Sequence, residues 1–456
     1  MDYIEAKRDD LNYSKTYGDT YNLMINAGRA VAKFVSSKFK QHSKVLIVCG
    51  TGNNAGDGIM ASSFLNCMDV KIQFIKEPFD LKTYEARRAF NENNQKYFTI
   101  EDLDKNIQES EIIIDAIFGI GINGSPREPY SSVISKINSS GKIIVSVDVP
   151  SGFPYPGSVK PDYTVTFTGI KDGMTSETCG EIIVSDIGIP ENVIKYSGPG
   201  DLLYLPKPLP DSHKGMNGRI ALISGFTYSG SAIIAARAAY NTGVDLVRVY
   251  TSQNNYNIIS SYSAGLIVRT FNDLDNDDIN QNDAILIGPG LGLSPGYRDI
   301  LINIIKKYNG IIIADADALK LLSPGHLEGK KCAVTPHAGE FKMFYGVDAT
   351  EENAVKMSKK YGIITVLKGK VDIITDGDNI FYTSGGNARM TMGGTGDMLA
   401  GLIAGMAAKH INLIRACMIG TYINKEAARI CYDDLGYYYS IDDMINKIPY
   451  VINNKI

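Results

Sequence analysis

Between Gly393 and Asp397 the chain packs three glycines into four positions, reaches an aspartate, and runs into Met398, Leu399, Ala400, Leu402, Ile403, Ala404 and Met406. That apolar spacing predicts a buried helix. A glycine-rich turn therefore meets a helix start. Amides without a neighbouring Cβ approach an anion closely, and the helix N-terminus adds unsatisfied donors and the positive end of its dipole. Phosphate suits such a cradle. Asp397 either caps the helix or, since a carboxylate beside phosphate is otherwise repelled, takes a proton from a hydroxyl attacking the phosphate.

The chain has 456 residues, more than one hydrophobic core usually covers, so two α/β domains are expected. Three prolines in Leu205-Pro206-Lys207-Pro208-Leu209-Pro210 make a stiff seam, which divides the chain into 1–204 and 205–456. A net charge of −4 gives no reason to expect nucleic acid or an anionic membrane as partner. The six cysteines show no C-x-x-C pair and no metal spacing, which suits reduced thiols in the cytoplasm. The charged N-terminus lacks a signal-peptide core, and no run approaches the roughly 20 apolar residues of a membrane span. A homo-oligomer is the expected assembly.

In the first half, Tyr21 to Phe39 has helical periodicity, and Val45 to Cys49 reads as a buried strand. It ends in Gly50-Thr51-Gly52-Asn53-Asn54-Ala55-Gly56-Asp57-Gly58 before another helix. This is strand, glycine-rich turn, helix, though not the G-x-G-x-x-G fingerprint. Ile112–Ile114 runs into Asp115 and Phe118 to Gly124, and Ile143–Val147 into Asp148-Val149-Pro150-Ser151-Gly152. In a parallel sheet these polar ends share the carboxyl edge, where such folds bind ligands. Asn54, Asp115 and Ser151 then either cap turns or offer hard oxygens to an alkali or alkaline-earth cation. Lys171, after the strand Pro161–Phe167, is either a catalytic cation or a solvated loop lysine.

The second half repeats the alternation of strand and helix, which implies a sheet covered on both faces. Ile220–Ile223 leads to a loop through Gly230 and a helix to Asn241, and Ala284–Ile287 to Gly288-Pro289-Gly290-Leu291-Gly292. Ile311–Ala314 ends in Asp315-Ala316-Asp317, and Cys332–Val334 in Thr335-Pro336-His337-Ala338-Gly339-Glu340. His337 is either a satisfied structural residue at a strand end or, with proline before it and glycine soon after, a substrate contact. Lys368-Gly369-Lys370-Val371-Asp372 either binds nucleotide phosphates or tips a basic hairpin, since Ile373–Thr375 and Ile380–Tyr382 read as paired strands. Helices over Leu413 to Tyr432 and Ser440 to Lys447 close the chain. No G-x-x-x-x-G-K-[ST] occurs, so phosphoryl chemistry here is not that of a P-loop.

The late Gly-Asp turn resembles that of the ribokinase-like group. Within it, Ser212-His213-Lys214-Gly215, Gly288 to Gly292, Thr335 to Glu340 and Gly386-Asn387 through Asp397 resemble the NAD(P)H-hydrate dehydratases. Asn53 to Gly58 and Val147 to Gly152 resemble the NAD(P)H-hydrate epimerases, and both halves together resemble the fused bifunctional repair enzymes. The resemblance implies a Rossmann-like three-layer αβα domain followed by a ribokinase-like one. The first would interconvert the R and S forms of NADHX and NADPHX; the second would dehydrate the S form at the expense of ADP, giving AMP and phosphate. By position, Asn53, Asn54, Ala55, Gly56, Asp57, Gly119, Ile120, Gly121, Ile122, Asn123, Gly124, Ser125 and Asp148 would hold the hydrate in the first domain, with potassium on Asn54, Asp115 and Ser151. In the second, Ala232, Gly290, His337 and Asp397 would contact the hydrate, and Lys368 to Asp372 with Gly396 would bind ADP, whose phosphates would carry Mg2+. Asp397 and Asp148 are the expected catalytic residues. Three positions depart from the family pattern: Ala55 replaces a glycine, Ile25 a glutamate and Ser231 an alanine. A small-alcohol kinase of the same fold and a non-catalytic nucleotide sensor are the alternatives.

Overall fold

The protein was analysed as a computed structural model, which describes residues 2–274 and 276–453. Two compact units emerge, Met1–Ile194 and Lys195–Ile456.

In the first unit, strands β1 (Lys44–Cys49), β2 (Asp69–Phe74), β3 (Tyr97–Phe98), β4 (Ile112–Ala116), β5 (Ile143–Val147), β6 (Tyr163–Phe167) and β7 (Glu181–Ser185) form one sheet. Its order is β3-β2-β1-β4-β5-β6-β7, with every neighbour parallel. β4 is buried throughout, as a strand covered on both faces must be. Ile47 and Ile114 pack beneath Val31, Val35 and Ile59 of two helices, while Leu46, Val48 and Ile113 meet Ile134 and Ile137 on the other face. The strand order reverses between β1 and β4. Their following loops diverge there and leave a crevice at the carboxyl edge.

The second unit carries β8 (Arg219–Ile223), β9 (Leu246–Thr251), β10 (Ile267–Thr270), β11 (Ala284–Ile287), β12 (Ile311–Ala314), β13 (Cys332–Val334), β14 (Ile364–Leu367), β15 (Asp372–Thr375) and β16 (Ile380–Thr383). They are ordered β10-β9-β8-β11-β12-β13-β14-β15-β16, parallel except for the antiparallel edge β14-β15-β16. The reversal falls between β8 and β11. There the two following loops interlock, with Gly225 N–H donating to Pro289 O at 2.9 Å and Tyr228 N–H to Gly290 O at 3.0 Å. Strands β2, β3, β9 and β10, which lie outward of β1 and β8, carry no sequence assignment above; β10 is only half-buried and gives a weaker apolar run.

The sequence sets the domain seam at 204/205, whereas the compact units divide at Ile194/Lys195. Residues 195–204 belong to the second unit through Ser197 N–H, which donates to Tyr382 O at 2.7 Å, and through the buried Asp201 carboxylate, 2.7 Å from the Arg415 guanidinium.

One helix crossing sets the geometry of this unit's site. Helix Thr395–Ala407 is buried from Met398 to Ala407 and packs on helix Ser229–Tyr240. A Cβ at Gly401 would collide with the Ala235 carbonyl, and one at Gly405 would reach Thr242 Oγ1 at 2.5 Å. Glycine and alanine faces thus let the two backbones touch, which brings both N-terminal turns to one place.

Candidate active sites

At the β1/β4 reversal the first unit holds a cavity of about 650 Å³. Asn53, Asn54 and Asp57 enter from the turn after β1, Gly119 to Ile122 from the loop after β4, and Asp148 from the end of β5. Asp148 has a left-handed backbone, φ 65, a conformation that costs a non-glycine residue on the order of 1 kcal/mol and that clusters at functional sites. Its carboxylate pairs with the Lys171 ammonium, which also donates to Thr166 Oγ1 and Phe167 O, each at 2.8 Å. Lys171 is only 3% exposed, so it is no solvated loop lysine. Asp57 stands beside this pair, and burial followed by the Asp148 charge pushes its carboxyl well above the usual range. Asp10, from helix Tyr3–Tyr17, also lines the cavity. Its side chain remains open to the cavity, yet protein crowds it closely enough that desolvation, then Asp148, lifts it to about 7. Sequence reading missed Asp10 because its helix gives no strand-end signal.

Next to the cavity, Asp115 is fully buried and accepts from Ser146 Oγ and Ser151 N, both at 2.8 Å, and from Ser151 Oγ. Ser151 Oγ also lies 3.1 Å from Phe118 O, and Asn54 Nδ2 is buried without a hydrogen-bond partner among the described residues. Ser151 and Asp115 are thus in direct contact, and Asn54 flanks the same Phe118–Gly119 loop.

Some expected contacts lie elsewhere. Ala55 is fully buried, and a Cβ at Gly56 would strike the Met24 side chain at 2.5 Å, so these two pack the helix rather than line the cavity. Asn123, Gly124 and Ser125 continue the loop beyond the cavity wall.

In the second unit, Asp397 occupies the first turn of helix Thr395–Ala407, after Gly394 at φ 97. A Cβ at Gly394 would also approach Ile234 Cδ1 to 2.7 Å, so glycine is required there twice over. Burial followed by the Asp315 charge lifts the Asp397 carboxyl to about 6, with the nearby Ser231 side chain opposing the rise. Ser231, where the resemblance expects alanine, places a hydroxyl near Asp397. The Lys368 ammonium lies 2.9 Å from Asp315 Oδ1 and 3.7 Å from Glu340 Oε2, and a Cβ at Gly396 would stand 3.4 Å from it. Asp315, Glu340 and Asp397 together hold its pKa up against burial.

Gly290 has φ 61 and no room for a Cβ beneath Tyr228 O. Ala232 is fully buried, main chain included, and presents no surface to a ligand. His337 caps helix Ala338–Tyr345, its Nδ1 accepting from Gly339 N at 3.0 Å and Glu340 N at 3.3 Å, while the ring stays exposed. Gly369, Lys370 and Val371 are exposed. Asp372 turns inward instead, accepting from Gly369 N at 2.9 Å and pairing with Lys425 at 3.3 Å. Asp315 and Lys425 are the residues sequence reading left unassigned.

A family model described as NAD(P)H-hydrate dehydratase matches residues 220–450, and one described as YjeF-related protein N-terminus matches residues 20–173. A relative from Archaeoglobus fulgidus, named bifunctional NAD(P)H-hydrate repair enzyme Nnr, is 34% identical over 447 residues and covers 94% of this chain and 93% of its own. A ribokinase-like superfamily protein from Enterococcus faecalis superposes with a TM-score of 0.53 at 28% identity, over 57% of this chain and 95% of its own. The ADP/ATP-dependent NAD(P)H-hydrate dehydratase of Bacillus subtilis, co-crystallised with ATP and Mg2+, gives a TM-score of 0.52 at 25% identity, over 56% of this chain and 97% of its own.

Proposed function

The chain belongs to the family of bifunctional NAD(P)H-hydrate repair enzymes, and from that premise we propose how its two sites return hydrated nicotinamide cofactors to use. Water added across the C5–C6 double bond of the reduced ring gives a 6-hydroxy compound in R and S forms, neither of which transfers hydride. The first unit interconverts the two; the second dehydrates the S form.

In the first site, protonation of the 6-hydroxyl lets it leave as water while the ring nitrogen lone pair forms a planar iminium. Water returned to either face, with loss of a proton, gives either epimer. Asp148 carries the proton to and from that oxygen. Asp57 and Asp10, held toward their acid forms, keep a proton at hand beside it. Asn54, Asp115 and Ser151 suit a potassium ion: their oxygens are hard and mostly uncharged, and the unpartnered Asn54 amide can turn its oxygen inward. Such an ion, when bound, supplies positive charge beneath the Phe118–Gly119 loop.

In the second site, Asp397 takes the proton of the 6-hydroxyl as that oxygen attacks the terminal phosphorus of ADP. Main-chain N–H groups from Gly394 to Gly396 and the Lys368 ammonium stabilise the charge that develops on the phosphoryl oxygens. AMP departs, the ring nitrogen then expels orthophosphate from C6, and loss of a C5 proton restores the double bond. The described residues hold no cluster of three His, Cys, Asp or Glu fit for a metal, so Mg2+ would ride on the nucleotide with water in its shell, near Asp315 and Asp317. When bound, it would supply charge neutralisation to the phosphates.

The observation that carries this reading is Asp397 at the mouth of a glycine-lined helix start, with the Lys368 ammonium beside it. Incubating the purified protein with mixed NADHX epimers and ADP or ATP should regenerate NADH absorbance with release of orthophosphate. Accumulation of a phosphorylated alcohol without NADH would assign it a kinase role instead.

A further inference from the structure

Lys425 lies on helix Leu413–Leu435, 5% exposed and far along the chain from the site. A buried ammonium is costly unless its donors are all used. Here they are: it donates to Gly369 O at 3.1 Å and Lys370 O at 2.9 Å, and it pairs with the Asp372 carboxylate at 3.3 Å. Asp372 in turn receives Gly369 N–H at 2.9 Å. One ammonium therefore ties both carbonyls and the closing carboxylate of the Lys368–Asp372 loop. The stem of the same side chain runs beneath the start of the glycine-rich stretch: a Cβ at Gly385 would stand 3.9 Å from Lys425 Cβ, and one at Gly386 3.7 Å from Cγ.

We propose that Lys425 is a positioning residue for the nucleotide, clamping the Lys368–Asp372 loop in register with the Gly385–Asp397 turn. The inference rests on that loop being the ADP site. With Gly369 and Lys370 carbonyls held inward, the loop presents its outer edge and the Lys370 side chain to a phosphate, and Lys368 stays fixed beside Gly396. Without the clamp, the carbonyls are free to rotate outward and repel the anion.

Lys425→Met is expected to raise the KM for ADP about tenfold or more while kcat at saturating ADP changes less than about threefold, and the KM for the hydrate stays as in wild type. Removing only one partner strands a buried Asp372, so Lys425→Met/Asp372→Leu provides the second arm. This apolar pair should recover thermal stability, yet its KM for ADP should stay high, because neither carbonyl is clamped and the Asp372 carboxylate already faces inward. Hydrogen exchange of the loop amides should quicken in both variants. A stable double variant with the wild-type KM for ADP would overturn the proposal, as would kcat falling while that KM holds. If wild-type protein regenerates NADH with no dependence on any nucleotide, the ADP reading itself has failed, and the clamp with it.

Discussion

At the scale of single residues, Asp397 combines two roles that oppose each other. Its carboxyl is lifted from 3.8 to about 6 in the folded chain. A carboxyl raised on folding favours the native state at acid pH, and that contribution is lost as pH rises from the ordinary value through about 6. At pH 7 the ionised group is thus a cost, which Asp397→Asn relieves. We expect this variant to be as stable as wild type or up to about 2 kcal/mol more stable in urea melts at pH 7, a figure discounted for partial solvent access. It should also lose about 10²- to 10⁴-fold in ADP-dependent NADH formation and still bind nucleotide. Unchanged turnover would remove Asp397 from the mechanism. For the same reason kcat/KM for dehydration should fall as pH drops below about 6, because the base must be ionised; a flat profile from pH 5 to 7 would count against it. In the first unit, Lys171→Met leaves Asp148 without its ammonium and should slow exchange between R and S forms, as followed by NMR.

At the scale of elements, strand ends were legible because continuous apolar runs stop abruptly at polar residues, as at Asp115, Asp148 and Asp315. The helix after Asp397 was legible for a similar local reason. What periodicity left unread is which helix it crosses. Gly401 meets the Ala235 carbonyl without space for a methyl, so Gly401→Ala should destabilise the second unit by about 1–3 kcal/mol. Gly230, in the first turn of the partner helix, has open space at its Cβ position. Gly230→Ala is the control and should leave the unfolding midpoint close to wild type; equal losses in both variants would mean the crossing is not the cause. His337 shows the converse. Its place at a strand end suggested a ligand contact, and the structure adds a local duty, capping the helix that follows.

For the whole molecule, the two sites lie in separate units and complete one task. With mixed epimers and excess ADP, Asp148→Asn should convert the S fraction at the wild-type rate and then stall, whereas wild type runs to completion; a variant that consumes both forms at the normal rate would free Asp148 of its role. The unit boundary is open to a direct check. A fragment beginning at Lys195 keeps the Asp201–Arg415 pair, while one beginning at Leu205 loses it. The shorter fragment should therefore melt earlier. Sequence by itself determined the alternation of strand and helix, the two glycine-rich turns and the acidic residues beside them, because glycine freedom and apolar period act over a few neighbouring residues. Only the tertiary structure decided that Lys171 closes on Asp148, that Asp10 reaches the same cavity, that Ala55 and Asp372 turn inward, and that Lys425 returns to a loop 55 residues back. Such partners are chosen by strand order and helix crossing, and no local pattern in the chain encodes them.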